Sequence, residues 1–257
     1  MRRELAVAGV LLAALVSAAG CASGSGGASR ASAAEPSPIA QRAINMAKVH
    51  LERGQPARAL AEAEAAVEAD PRSALARVVK ASALESLDRQ DDARREYGRA
   101  VALAPSDGTV LNAQGAFLCR AGETDAAMSA FLRATADTSY REPEQALANA
   151  GSCAAEAGRK DIAELNFRAA LELEPRLAQA LVGMAKLEHQ RGDALGARAF
   201  LQRREALGPL GAGELALAIE IETAAGDSRA ASRYRSALAT MAEQAGARSV
   251  DPGSPSQ

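Results

Sequence analysis

The chain has 257 residues, enough for one long domain or two ordinary ones. Its formal net charge of −2 and the lack of a Lys/Arg-rich run exclude a strongly basic surface that binds nucleic acid. Aromatic residues make up only 3% of the chain and strand-length runs of β-branched or aromatic residues are missing, whereas alanine recurs throughout, so the composition predicts an all-α protein.

Residues 1–20 have the order of a secretory signal peptide. Arg2 and Arg3 precede the apolar run from Leu5 to Val16, and small residues then lead into Cys21. The apolar run is shorter than the roughly 20 residues that a transmembrane helix needs. A cysteine directly after Ala-Ala-Gly resembles the lipobox of bacterial lipoproteins, which implies that the chain is cut before Cys21 and that its thiol carries a lipid. An ordinary cleaved signal and an uncleaved anchor are the alternatives.

The lipobox resemblance also implies a compartment, because the next residue is Ala22 rather than the Asp that retains such proteins in the inner membrane. The expected location is the outer membrane, with the folded part facing the periplasm. Residues 21–38 are mostly Gly, Ser, Ala and Pro, which predicts a flexible tether between lipid and folded domain. Residues 246–257 have a similar composition and are predicted to be disordered.

A repeat fills residues 39–245. Its alanines are spaced by 34 residues with one spacing of 36: Ala59, Ala93, Ala127, Ala163, Ala197 and Ala231. Five of them have a glycine five residues earlier, where Asp88 takes the remaining place, and four have a proline twelve residues later. This period is the signature of tetratricopeptide repeats and predicts a right-handed superhelical solenoid. Its six helical hairpins are expected at 40–73, 74–107, 108–141, 144–177, 178–211 and 212–245.

Catalytic and metal-binding patterns are missing from the sequence. His50 and His189 are the two histidines, and neither has a cysteine or carboxylate at metal-ligand spacing. No motif of a hydrolase, metalloprotease or phosphate-binding loop is found. The sequence therefore predicts a binding protein with no enzymatic activity, metal or cofactor.

The inner groove of such a solenoid is lined mainly by the first helix of each hairpin and takes peptides. Counted from the hairpin start, the groove positions of the first two hairpins include Ile44, Lys48, Leu51, Leu75, Val78, Ser82 and Glu85. Four of these are aliphatic, which predicts an apolar peptide site flanked by Lys48 and Glu85. The alternative is that the aliphatic residues pack against the tether or an extra N-terminal turn.

Cys119 and Cys153 lie near the middle of the first helix in the third and fourth hairpins. Neighbouring first helices lie side by side, and an exported protein folds in an oxidising compartment, so a disulfide is predicted between them. The alternative is that both cysteines only occupy space in the core as small apolar side chains.

The third and fourth hairpins resemble the type IV pilus biogenesis lipoproteins, the PilF/PilW-type pilotins. The matching residues are Asn112, Gly115, Phe117-Leu118-Cys119, Tyr140, Asn149, Gly151 and Cys153, whereas Ala113, Gln114 and Arg141 depart from the family pattern. The resemblance implies an outer-membrane lipoprotein that helps the pilus secretin insert and assemble into its multimeric pore. Its partner would be the secretin, and its membrane contact the lipid anchor. Two other roles stay open: an adaptor for cell-wall enzymes or β-barrel assembly, and a structural envelope component.

Overall fold

The computed structural model describes residues 36–250, with side chains as far as Gln244. The predicted signal peptide, Cys21 and most of the predicted tether lie outside the described residues, as do residues 251–257.

Twelve α-helices form the described part of the chain, and no strand occurs in it. In chain order they are α1 (Pro38–Glu52), α2 (Pro56–Ala69), α3 (Ala74–Ser86), α4 (Gln90–Leu103), α5 (Gly108–Arg120), α6 (Thr124–Thr135), α7 (Pro143–Glu156), α8 (Lys160–Leu173), α9 (Ala178–Gln190), α10 (Ala194–Glu205), α11 (Ala212–Ala224) and α12 (Ser228–Val250). Each odd-numbered helix pairs with the next even-numbered one, and each hairpin contacts only the hairpins beside it. The predicted all-α stack of six hairpins is confirmed.

A left-handed residue turns the chain inside each hairpin. In the first hairpin this residue is Gly54, with φ of +64°, and its amide donates to the Leu51 carbonyl while the next amide donates to the His50 carbonyl. These two bonds satisfy carbonyls that the end of α1 leaves open. The second hairpin has Asp88 in the same conformation, with φ of +59°. Asp tolerates this backbone better than most residues, which explains why it replaces glycine in the repeat.

The core runs along the stack between the helices. The six repeated alanines are at most 1% exposed, so the two helices of each hairpin cross closely there. The aromatic residues four positions later, Tyr97, Phe131 and Phe167, are also buried. Phe167 of α8 illustrates their role, because its ring lies against Gly151 of its own hairpin and Gly183 of the next. One ring therefore joins two hairpins.

The C-terminal helix α12 is longer than its hairpin requires. It runs to Val250, so the prediction that the chain is disordered from residue 246 is wrong for residues 246–250. No proline interrupts this helix before Pro252. Arg235 and Glu243 are exposed on this helix, in keeping with a polar end to the stack. Among the described residues, none of the helices combines the length and apolar character that a membrane span requires.

Candidate functional site

The odd-numbered helices line one face of the stack, which we call the inner face. Neighbouring odd-numbered helices contact each other from α1 to α11, whereas within the described residues no two even-numbered helices do so. Helices on the shorter side of a curved stack are closer together, so the odd-numbered helices lie on the inside. From α3 onward, each inner helix also packs against its own even-numbered partner and the preceding one, which leaves a narrow strip of each helix exposed.

Ile44 and Val78 do not lie on this exposed strip. Ile44 is fully buried against α2 and α3, and Val78 is 7% exposed in a cluster with Ala93 and Tyr97 of α4 and Phe117 of α5. The expectation that both project into the groove is therefore wrong. Because each inner helix is covered on several sides, the position that they share turns toward a neighbouring helix.

The other residues of the predicted apolar site are partly or fully accessible. Leu51 and Leu75 are half-buried and pack against the cluster that contains Ile44, and Lys48 is exposed. These three residues do not form an apolar groove, because most of the surface of the Leu51 and Leu75 side chains packs against the cluster that contains Ile44. Their role in binding a partner stays a prediction.

Ser82 and Glu85 belong to a polar cluster between α3, α4 and α5. The Glu85 carboxylate accepts two hydrogen bonds from Arg120, at 2.5 and 2.9 Å, and Ser82 lies 3.0 Å from the Tyr97 hydroxyl. Burial raises the pKa of Tyr97 to about 12, and the nearby Glu85 charge acts in the same direction. Both predicted site residues therefore have structural partners: Ser82 within the second hairpin, and Glu85 across the junction with the third.

Five half-buried polar side chains form a continuous row on the inner face from α5 to α9. We call this row the polar ladder: Asn112, Gln145, Asn149, Ser152 and Gln179. The Asn149 amide donates to Asn112 at 3.0 Å, and the Gln179 amide donates to both Asn149, at 3.0 Å, and Ser152, at 3.2 Å. The Gln145 amide donates to the Gln179 carbonyl at 2.5 Å. The ladder thus connects three hairpins without using a charged group.

A pocket of about 450 Å³ lies beside the ladder, and we call it the inner pocket. Buried Phe167 and Leu187 lie at its base, next to Gly183. Its sides are formed by Ser152, Ala155, Glu156, Gln179, Val182 and Lys186, with Glu214 at the end toward α11. Polar groups of the ladder therefore border an apolar cavity.

Apart from Asn149, the polar ladder continues the register of the groove positions predicted in the first two hairpins. Counted from residues 144 and 178, that register gives Gln145 and Ser152 in the fourth hairpin and Gln179 and Lys186 in the fifth. The spacing was therefore available in the sequence. The hydrogen bonds that join these residues across hairpins were not, because they depend on how the helices lie against one another.

Four residues of the family resemblance meet at the junction of α5 and α7. Cys119 and Cys153 are joined by a disulfide with 5.7 Å between their Cα atoms, and Asn112 and Asn149 are hydrogen-bonded nearby. Gly115 and Gly151 each leave room for a phenylalanine, Phe131 and Phe167 respectively. Tyr140 lies over Gly108, and burial raises its pKa to about 12. The disulfide and the Asn112–Asn149 bond fix the position of the third hairpin relative to the fourth, whereas the contacts of these glycines lie within the hairpins.

A second pocket, of about 410 Å³, opens on the outer side of the stack between α6 and α8. Leu132 and Leu165 border it and are 72% and 69% exposed. It adjoins the loop that contains the two-residue insertion in the repeat. Within the described residues no group of three His, Cys, Asp or Glu side chains is arranged to hold a metal ion. His50 contacts Gln55 at 2.9 Å, and His189 lies 3.7 Å from Glu220.

Comparison with known proteins supports the repeat and the fold. A family model of the tetratricopeptide repeat matches residues 44–108 and 87–142. Comparison with curated proteins gives no match. The structure of PilW, described as a widely conserved type IV pilus biogenesis factor, is similar with a TM-score of 0.70 and 26% identity, over 79% of this chain and 93% of PilW.

Two further structures are similar. PilF of Pseudomonas aeruginosa has a TM-score of 0.68 and 25% identity, over 79% of this chain and 91% of PilF. A tetratricopeptide repeat protein from Parabacteroides merdae, at 18% identity and a TM-score of 0.61, covers 80% of this chain and 81% of its own and shows the fold alone. The residues that the family model matches are therefore tetratricopeptide repeats, and the chain has a fold similar to those of PilW and PilF.

Proposed function

We propose that the protein is an outer-membrane lipoprotein that acts as a binding scaffold in assembly of the type IV pilus secretin. The observation that carries the proposal is the extent of the similarity to PilW, which includes 93% of that protein. The α5–α7 junction supports it further, because Asn112, Cys119, Asn149 and Cys153 of the pilotin resemblance join the third and fourth hairpins there.

The lipid anchor follows from the sequence before the solenoid. Cys21 stands behind an apolar run and small residues, as lipidated cysteines do. Only 16 residues separate it from Pro38, where α1 begins, because 38 − 21 − 1 = 16. A Gly/Ser-rich chain of this length has a root-mean-square span of roughly 20–25 Å. The first hairpin would then lie near the membrane, where a secretin subunit inserts.

Binding rather than catalysis is the role that the inner face supports. Its accessible groups are amides, hydroxyls and a few charged side chains, which hydrogen-bond and orient a polypeptide. Tetratricopeptide repeats are protein-interaction scaffolds, and their stacked helices offer an extended surface to a partner chain. The proposed role involves no enzymatic step and no cofactor.

The proposal is tested by deleting the gene and measuring the secretin multimers that remain in the membrane. Loss of multimers, with secretin monomers still present, is the expected result, and the wild-type gene should restore them. Cys21→Ser should leave the folded protein unprocessed or released from membranes and should reduce the multimers. Normal multimers in the deletion strain would contradict the proposal. Recovery of cell-wall enzymes instead of secretin after crosslinking would favour an envelope adaptor.

A further inference from the structure

We infer that the polar ladder and the inner pocket together form the client-binding site, which holds the main chain of an extended polypeptide segment and one of its apolar side chains. The inference rests on the proposed function, because it names the place on the inner face where the client docks. The site lies on the fourth and fifth hairpins rather than on the first two.

The ladder leaves hydrogen-bonding groups free after its internal bonds are made. Within the described residues, the side-chain carbonyl oxygen of Gln145 accepts no hydrogen bond. The Ser152 hydroxyl accepts a bond from Gln179 but donates none. One N–H of Asn149 is also free, because its amide makes a single donated bond, to Asn112. On these three residues one acceptor and two donors remain, on a short stretch of the inner face. This set matches the N–H and C=O groups of an extended main chain.

The ladder is also held in place before any client arrives. Gln179 uses both of its N–H groups on α7, and Asn149 both donates and accepts within the ladder, so neither amide can flip without losing bonds. The Asn112 amide contacts Tyr140 on its other side. The nearby Cys119–Cys153 disulfide joins α5 to α7 covalently. A site whose side chains are already ordered loses less conformational entropy when it binds.

The inner pocket gives the client an apolar contact next to these polar groups. The side chain of Val182 lines it, and at its base the Gly183 backbone lies directly on the buried ring of Phe167. Lys186 and Glu156 are exposed at its edges, and neither is in an ion pair with a described residue. An uncharged segment with one aliphatic or aromatic side chain fits this combination of a polar row and an apolar cavity.

The corresponding surface of the first two hairpins lacks these properties. Ile44 and Val78 are buried in the core. The Glu85 carboxylate is 14% exposed and already accepts both bonds of the Arg120 guanidinium. The polar groups there hold hairpins together and present few free donors to a client.

Site-specific photocrosslinking in cells tests the inference on the full-length lipoprotein. A photoreactive amino acid replaces Lys186 at the inner pocket, Leu75 on the N-terminal part of the inner face, or Leu165 on the outer side. The expected result is a crosslink to the secretin from position 186, with none or far less from positions 75 and 165. Mass spectrometry of the crosslinked peptide should then identify a segment of the secretin whose sequence has no charged residues at its centre.

The other outcomes separate this inference from the proposed function. A secretin crosslink from position 75 or 165 but not from 186 would overturn the inference while the proposed function stands. A crosslink from 186 to a second copy of the chain, or to its own residues 22–35, would also overturn it. Lack of secretin crosslinks at all three positions would overturn both.

Binding of synthetic peptides gives a second, independent measurement. The probes are overlapping peptides that cover the periplasmic part of the secretin from the same cells. Gln179→Ala removes the two bonds that hold Asn149 and Ser152 in position for the client, so binding of the tightest peptide should weaken roughly 5-fold or more, as when one or two hydrogen bonds to the client are lost. Exposed Gln202 on α10 provides the matched control, and Gln202→Ala should bind like wild type. Equal affinity of Gln179→Ala and wild type, with unchanged melting temperatures, would refute the assignment.

Discussion

The close packing of Phe167 against Gly183 makes a sharp prediction about stability. An alanine Cβ at position 183 would lie 2.6 Å from Cε1 and Cε2 of Phe167, and closer still to Cζ. Carbon atoms in contact are normally about 3.5–4.0 Å apart. The ring cannot retreat, because it is 1% exposed and its other edge lies against Gly151. Gly183→Ala therefore forces the fourth and fifth hairpins apart or turns the ring out of its rotamer.

The size of the effect follows from two opposed contributions. Overpacking of a buried site costs roughly 1–3 kcal/mol, whereas replacing a helical glycine by alanine gains about 1 kcal/mol. With contacts this short the cost should be near its upper limit, which gives a net loss of about 1–2 kcal/mol. For a domain of this size each kcal/mol lowers the melting temperature by about 2–4 °C. Gly183→Ala should therefore melt about 2–8 °C below wild type.

Gly98 of α4 provides the matched control, because no atom lies within 4 Å of the Cβ that alanine would add there. Gly98→Ala should melt about 2–4 °C above wild type, since it gains helix propensity without an overlap. Thermal unfolding followed by far-ultraviolet circular dichroism measures both variants. In the double variant Gly183→Ala, Phe167→Leu, the smaller side chain should make the two costs less than additive. If Gly183→Ala melts at or above wild type, the account of this junction is wrong.

Three other predictions use the disulfide, the tyrosines and a buried ion pair. The Cys119–Cys153 disulfide closes a loop with a sequence separation of 34, so reduction should lower the free energy of unfolding, measured by urea titration, by about 3–4 kcal/mol. The stability of the Cys119→Ala, Cys153→Ala variant should not change when dithiothreitol is added. Burial raises the pKa of Tyr97, Tyr140 and Tyr234 to about 12, so tyrosinate absorbance should appear near pH 12 in the native protein and near pH 10 in urea. The free energy of unfolding should fall between pH 10 and 12, because the unfolded chain releases its tyrosine protons first. A native titration midpoint near 10 would count against these environments. Arg198→Met leaves the Glu222 carboxylate, which is only 5% exposed, without its partner and should lower the free energy of unfolding by about 3–5 kcal/mol. Adding Glu222→Gln in the same chain should restore a large part of this loss. An Arg198→Met protein as stable as wild type would show that the pair contributes little.

The repeat could be predicted from sequence because its marks are local. A left-handed turn needs Gly54 or Asp88, a close helix crossing needs Ala59 or Ala93, and each requirement recurs every 34 residues in most units. Such requirements act within one hairpin, so spacing alone reveals them. The positions of the twelve helices follow from them with little further information.

The accessible side chains were harder to predict because they depend on several hairpins at once. Helical periodicity indicates the direction of Ile44 and Val78 relative to their own helix, but the neighbouring inner helices decide whether that direction is open. The same holds for Gln145 and Gln179, whose hydrogen bond joins residues 34 positions apart. Nothing within either helix indicates that the two amides meet.

The disulfide has a mechanical consequence for a stack in which each hairpin contacts only its neighbours. A pulling force between the two ends is carried in series by the five junctions of the six hairpins. Four junctions resist the force with packing, hydrogen bonds and ion pairs, whereas the third is also closed by a covalent bond. Extension should therefore begin at the other junctions, and the third and fourth hairpins should behave as one stiff segment between two more compliant arms.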